Sequence, residues 1–213
     1  MKHRTKRYPN KEKVEAMKKL VITISILVTA LLLMFVTQYN KGAKTTEEAM
    51  TIAGIQTTYI LYEQKTEKGN LILYQDPFSD SLSLAFLERS FSGFELMDSI
   101  TKHDIASLEE QSGLSYVMLA KSDDVPYTTY AGLTTNPDLF EVLITEIGFP
   151  IAHSAKVITS DIEGIYIWLA YSPDFTGSNY SLIGLADDGT VVGDIEHSGT
   201  ELTIHAIETS EAQ

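Results

Sequence analysis

Between Leu20 and Thr37 the chain runs 18 residues without a charge, a glycine or a proline. The polar positions inside this run are Thr23, Ser25, Thr29 and Thr37, and they do not form the polar face that a helix on a soluble core would show. Their hydroxyls can bond back to helix carbonyls one turn earlier. At ~1.5 Å rise per residue the run reaches ~27 Å, enough for a ~30 Å hydrocarbon layer once its flanks are included. A cleaved signal has a shorter apolar stretch and ends in a small-x-small site. Here the run ends in Met34-Phe35-Val36-Thr37-Gln38-Tyr39, so it reads as a retained anchor, with cleavage the rival.

Beyond the run the period shortens. Thr45-Thr46-Glu47-Glu48 is a hydroxyl cap followed by first-turn acids and starts a helix that runs to about Gln56. Thr57–Gln64 and Asn70–Gln75 flank a Gly69-containing turn and read as a hairpin. Ser81–Arg89 alternates Leu82, Leu84 and Phe86 against Ser81, Ser83 and Ala85, the pattern of a half-buried strand, with Phe94–Met97 available to pair with it. His103–Glu110 reads as a short helix, Tyr116–Ala120 as a buried strand and Asp123–Tyr130 as a loop. Six strands follow: Tyr130–Thr134, Phe140–Ile147, Ala155–Thr159, Gly164–Ser172, Ser181–Ala186 and Thr190–Ile195, with Leu202–Ile207 a possible seventh. Turn residues separate them, Asp188-Gly189 most clearly.

The fold class expected is therefore α+β and β-rich: an N-terminal transmembrane helix, then one domain of mostly antiparallel strands with one or two short helices. The boundaries are a basic tail over 1–19, the membrane helix over 20–38, a juxtamembrane spacer over 39–47, the β-rich domain over 48–207 and a C-terminal tail over 208–213.

Charge orients this arrangement. Residues 1–19 hold eight basic and two acidic groups, net +6 against −13 for the whole chain, which leaves −19 for the remainder. A tail this basic stays in the cytoplasm, and the β-rich domain lies outside. A domain so acidic is a poor match for nucleic acid, whose phosphates demand a basic surface. The chain has no cysteine. That excludes thiol nucleophiles, thiolate metal sites, lipoprotein attachment through cysteine and any disulfide staple.

The motifs that could carry chemistry are few. Ser99-Ile100-Thr101-Lys102 matches the Ser-x-x-Lys string of penicillin-binding enzymes, but their Ser-Asp-Asn and Lys-Thr-Gly elements are absent. His103, His153, His197 and His205 stand singly, without zinc-site spacing, and His3 lies in the basic tail. Asp187-Asp188-Gly189 with Asp194 and Glu196 lacks the alternating acids of a calcium loop and reads as a hairpin turn. No cofactor or metal ligand set is expected. In Ile165–Tyr171, Tyr166, Trp168 and Ala170 share one strand face and Ile165, Ile167, Leu169 and Tyr171 the other. This is either a central strand buried on both sides or, through Tyr166 and Trp168, an exposed aromatic strip for a partner or glycan.

The order YILYEQKTEKGNLILYQD, LSLAFLERSFSGFEL, Asn136-Pro137-Asp138-Leu139-Phe140-Glu141-Val142, Gly164-Ile165-Tyr166-Ile167-Trp168 and LIGLADDGTVV resembles a group of small membrane-anchored or lipoprotein-type envelope proteins of Bacillus and relatives. The likeness spans most of residues 47–195, although the Gly- and Trp-rich stretch frequent in that group is replaced here by FELMDSITKHD. It implies a Gram-positive envelope location and brings no catalytic residues with it. The combined expectation is a single-pass, non-enzymatic binding or accessory module whose partner is a membrane or cell-wall protein. The alternative is an envelope hydrolase or accessory subunit with a site assembled only by folding.

Overall fold

The computed structural model describes residues 11–39, 42–55, 59–75, 79–147, 151–198 and 201–204. The first ten residues of the basic tail, the first residues expected in the opening hairpin, the Gly148–Pro150 turn, His205 and the 208–213 tail lie outside the described residues. The chain divides into two compact units.

The described part of the smaller unit is helix α1 (Lys11–Tyr39), Gly42 and the three residues Phe91–Gly93. Within α1, the 22 residues Glu15–Val36 are long and apolar enough to cross a membrane, and none of that stretch is buried. The Thr23 hydroxyl donates to the Lys19 carbonyl and the Thr29 hydroxyl to the Ser25 carbonyl, both at 2.9 Å, so these polar groups are satisfied inside the helix. A helix of this kind at the N-terminus is a membrane anchor or a signal sequence.

The larger unit opens with α2 (Thr46–Ile52), whose cap is Thr45: its hydroxyl accepts from the Glu48 N–H at 3.1 Å. A four-stranded antiparallel meander follows, β1 (Ile60–Lys65), β2 (Gly69–Tyr74), β3 (Ser81–Arg89) and β4 (Phe94–His103), paired in sequence order. Helix α3 (Ile105–Ser112) leads into an eight-stranded antiparallel sheet. Its strands are β5 (Val117–Leu119), β6 (Thr128–Thr134), β7 (Glu141–Glu146), β8 (His153–Thr159), β9 (Tyr166–Ser172), β10 (Tyr180–Leu185), β11 (Val191–Ser198) and β12 (Glu201–Ile204). Their order is β12-β11-β10-β7-β8-β9-β6-β5. This is the α+β, β-rich class that the patterning predicts.

Apolar layers hold the unit together. One face of the meander, through Leu71, Leu73, Leu82, Leu84 and Phe86, packs on Val117, Leu119, Ala131, Leu133 and Ile167 of β5, β6 and β9. Its other face, through Ile72, Ala85 and Leu87, is covered by Ala49 and Met50 of α2. Strand β3 is thus buried over Ser81–Leu87 on both faces, not half-buried as its alternation implies. The small residues at 81, 83 and 85 leave room for that cover. Strand β4 runs six residues further than expected, with Met97 bulged against β3. His103 therefore ends a strand and does not start a helix.

Strand β8 changes partner along its length. Its first half, His153–Lys156, pairs with β7, whereas Val157–Thr159 pair with β9. One strand thus links two parts of the sheet. The faces of β6 and β9 that carry Tyr130 and Trp168 share a second core with Val142, Ile144, Leu182 and Ile195 of β7, β10 and β11.

Candidate functional site

The most organised polar cluster of the β unit follows from strand phase. In β7, Val142, Ile144 and Glu146 are buried while Thr145 between them is exposed, so the two-residue period carries a carboxylate into the core. In β10 the buried phase is Tyr180, Leu182 and Gly184. Cross-strand register sets Tyr180 opposite Glu146 on one side and opposite His197 of β11 on the other. Glu146, Tyr180 and His197 thus form one row across three strands.

Glu146 is only 2% exposed. Its Oε1 accepts from the Tyr130 hydroxyl at 2.6 Å and the Gly177 N–H at 2.9 Å. Its Oε2 accepts from the Thr176 N–H at 2.7 Å and the Thr176 hydroxyl at 2.9 Å. Three of these four donors belong to the loop between β9 and β10. The same loop is held by the Thr128 hydroxyl, which donates to the Phe175 carbonyl at 3.0 Å, and by Gly177 in the left-handed region at φ +73°. Burial pushes the Glu146 carboxyl up. The Thr176 N–H, the Tyr130 hydroxyl, the Gly177 N–H and the Thr176 hydroxyl outweigh it and hold the group below the usual carboxylate range.

Aromatic rings wall the carboxylate. Ring centroids of Tyr130 lie 4.9 Å from Tyr180 and 5.4 Å from Phe175, and His153 packs 4.4 Å from Phe175. His197 stacks on Tyr180 at 4.9 Å with planes 28° apart. The Tyr180 hydroxyl donates to that of Tyr116 at 2.9 Å. Burial raises the pKa of Tyr130, with the Glu146 hydrogen bond adding to it, and burial also raises those of Tyr180 and Tyr116.

A recess of about 100 Å³ opens beside the row, lined by Glu146, Asn179, Tyr180, Glu196 and His197. It is smaller than the ~300 Å³ at which sites for drug-sized ligands begin. A carboxylate already accepting four hydrogen bonds cannot take a substrate proton or a cation without surrendering one of them. Tyrosines with raised pKa are poor proton donors near neutrality. The cluster is therefore built to pin the β9–β10 loop onto the sheet. A second opening, about 470 Å³ and broad, is lined by Glu109, Glu110, Thr135 and Asn136. There Glu109 already accepts from the Thr134 hydroxyl at 2.8 Å and the Thr135 N–H at 2.6 Å. Among the described residues no group of three or more His, Asp or Glu side chains is placed to hold a metal ion.

The structure disperses the residues singled out by motif. Trp168 is fully buried, so Tyr166 and Trp168 do not form a surface strip; Tyr166 is half-buried at the strand's start. The reason is that β9 lies between two cores, with Ile167 facing one and Trp168 the other. Ser99 and Lys102 lie on strand β4, opposite Ala85 and Leu82, where an i, i+3 pair points to opposite faces. They lack the one-turn proximity that a helix provides. Asp187-Asp188-Gly189 forms the β10–β11 turn, in which the Thr190 N–H donates to Asp188 at 2.9 Å and Gly189 takes φ +83°. Comparison with protein-family models, curated proteins and solved structures finds no match.

Proposed function

We propose that the chain is a single-pass membrane protein of the Gram-positive cell envelope, with its N-terminus in the cytoplasm and its β-rich domain outside. The domain is a non-enzymatic binding or accessory module for another membrane or wall protein. The observation that carries this reading is α1: an unburied 22-residue stretch long and apolar enough to cross a membrane, in a strongly basic N-terminal region and followed by an acidic, cysteine-free domain. The saturated state of Glu146 supports the non-enzymatic part, and the resemblance to small Bacillus-type envelope proteins supports the location.

The rival is an envelope hydrolase or accessory subunit. In its favour, Glu146, Glu196 and His197 line one recess. Against it, that recess is small and Glu146 is fully engaged.

The test carries tags at both ends of the chain in intact cells. External protease should remove the C-terminal tag and spare the N-terminal one, both on a single full-length band. A shielded C-terminal tag overturns the orientation, and loss of the N-terminal tag by processing overturns the anchor. In-cell cross-linking with mass spectrometry should then recover one stoichiometric membrane or wall protein. Recovery of the chain alone counts against the binding module and for the hydrolytic reading.

A further inference from the structure

The β3–β4 turn carries Phe91, an aromatic left 63% exposed at the tip of the hairpin. Within the smaller unit its ring centroid lies 4.7 Å from that of Phe35, with the planes at 49°. Phe35 is the penultimate residue of the apolar stretch. Close backbone approach locks this arrangement at its other end. A Cβ on Gly42 would overlap the Ser92 carbonyl oxygen, so only glycine lets the chain leaving the helix lie against the turn. The next residue, Ala43, accepts the Phe94 N–H at 2.8 Å in an isolated bridge.

The chain between the apolar stretch and the turn's backbone partner is short. Gly42 lies six residues after Val36, so at most ~15 Å of chain separates the turn's backbone partner from the end of the apolar stretch. The headgroup layer is itself about 5–7 Å thick on each side. Charge favours the same placement. No acid occurs from Thr37 to Lys44, which includes Lys41 and Lys44, or from Arg89 to Phe94. Acids resume at Glu88 and Glu95 on the strands. These two acid-free segments carry Lys41, Lys44 and Arg89, a charge pattern that suits anionic headgroups.

We propose that the Phe91 turn is a second membrane contact: it inserts its aromatic tip into the outer lipid interface beside the helix exit and tethers the β domain close to the bilayer. The contact rests on the anchor reading above. An interfacial aromatic of this kind sits ~5–10 Å into the headgroup boundary.

The cysteine-free sequence makes the test clean. Single-cysteine variants F91C, L31C and I162C of the full chain are labelled with an environment-sensitive fluorophore and reconstituted into vesicles of phosphatidylcholine and phosphatidylglycerol. Lipids carrying a quencher near the headgroup should reduce the emission at position 91 by about twofold, and aqueous iodide should quench it less than at position 162. Position 31 should respond to a quencher deep in the acyl chain. Quenching at 31 with position 91 as open to iodide as 162 overturns the lipid contact and leaves the anchor standing. Absence of lipid quenching at both 31 and 91 overturns the anchor and the contact together. Equal quenching at 91 in vesicles of phosphatidylcholine alone keeps the insertion and removes the charge argument.

Discussion

At the scale of single residues, the most consequential is Glu146. In the unfolded chain it titrates near ~4.3. In the fold it is held lower, so the folded state binds fewer protons at this site. Its contribution is complete above about pH 5 and is lost as the pH falls through the folded value. Acid titration of the urea midpoint should show this loss, and E146Q should flatten it. E146Q should also cost about 2–3 kcal/mol near neutrality, because an amide offers the Thr176 and Gly177 N–H groups a weaker acceptor and brings a donor of its own. Tyr130 and Tyr180 shift the other way. Their raised values make folding favourable below about pH 10 and less so as the pH rises past it, so the same titration should fall again on the alkaline side. Glu146 was legible in principle: its phase with Val142 and Ile144 marks it as inward. Its four donors were not, because three come from a loop 30 residues away.

At the scale of elements, β9 sets the strongest expectations. Trp168 is the only tryptophan and is fully buried, so native emission should be blue-shifted, resist iodide and move to the red on unfolding. W168A should lose about 3–5 kcal/mol. Its neighbour across the ladder is Gly132, where a Cβ would overlap the Ser115 carbonyl oxygen and meet the indole at 2.5 Å. G132A should therefore cost about 1–3 kcal/mol or more, read as a lowered midpoint in denaturant, although alanine is ordinarily a mild change. In α1, a charge at the centre of the span opposes insertion by about 2.5–3.5 kcal/mol, so L27R should shift the protein out of the carbonate-resistant membrane fraction. The elements themselves were largely readable. Thr45 capped the helix it was expected to cap, and β3 has the predicted limits of Ser81 and Arg89. What alternation misjudged was burial: β3 looks half-exposed by pattern, yet α2 covers its small-residue face.

At the scale of the whole molecule, a remainder near −19 should repel itself. Its thermal midpoint should rise when sodium chloride is increased from about 10 mM, where the Debye length is ~30 Å, to 150 mM, where it is ~8 Å. A midpoint independent of salt would mean that the acids are already neutralised by local pairing. The sequence by itself determined the apolar helix, the β-rich class, turns such as Asp188-Gly189 and the charge asymmetry, because each depends on residues close together in the chain. Only tertiary structure decided that β8 pairs with β7 along its first half and with β9 along its second, that β9 is covered on both faces, that Ser99 and Lys102 fall on a strand, and that Glu146 meets Tyr130 and the β9–β10 loop. These outcomes depend on strand order and register between distant segments, and periodicity along one strand fixes which side chains share a face but not what covers that face.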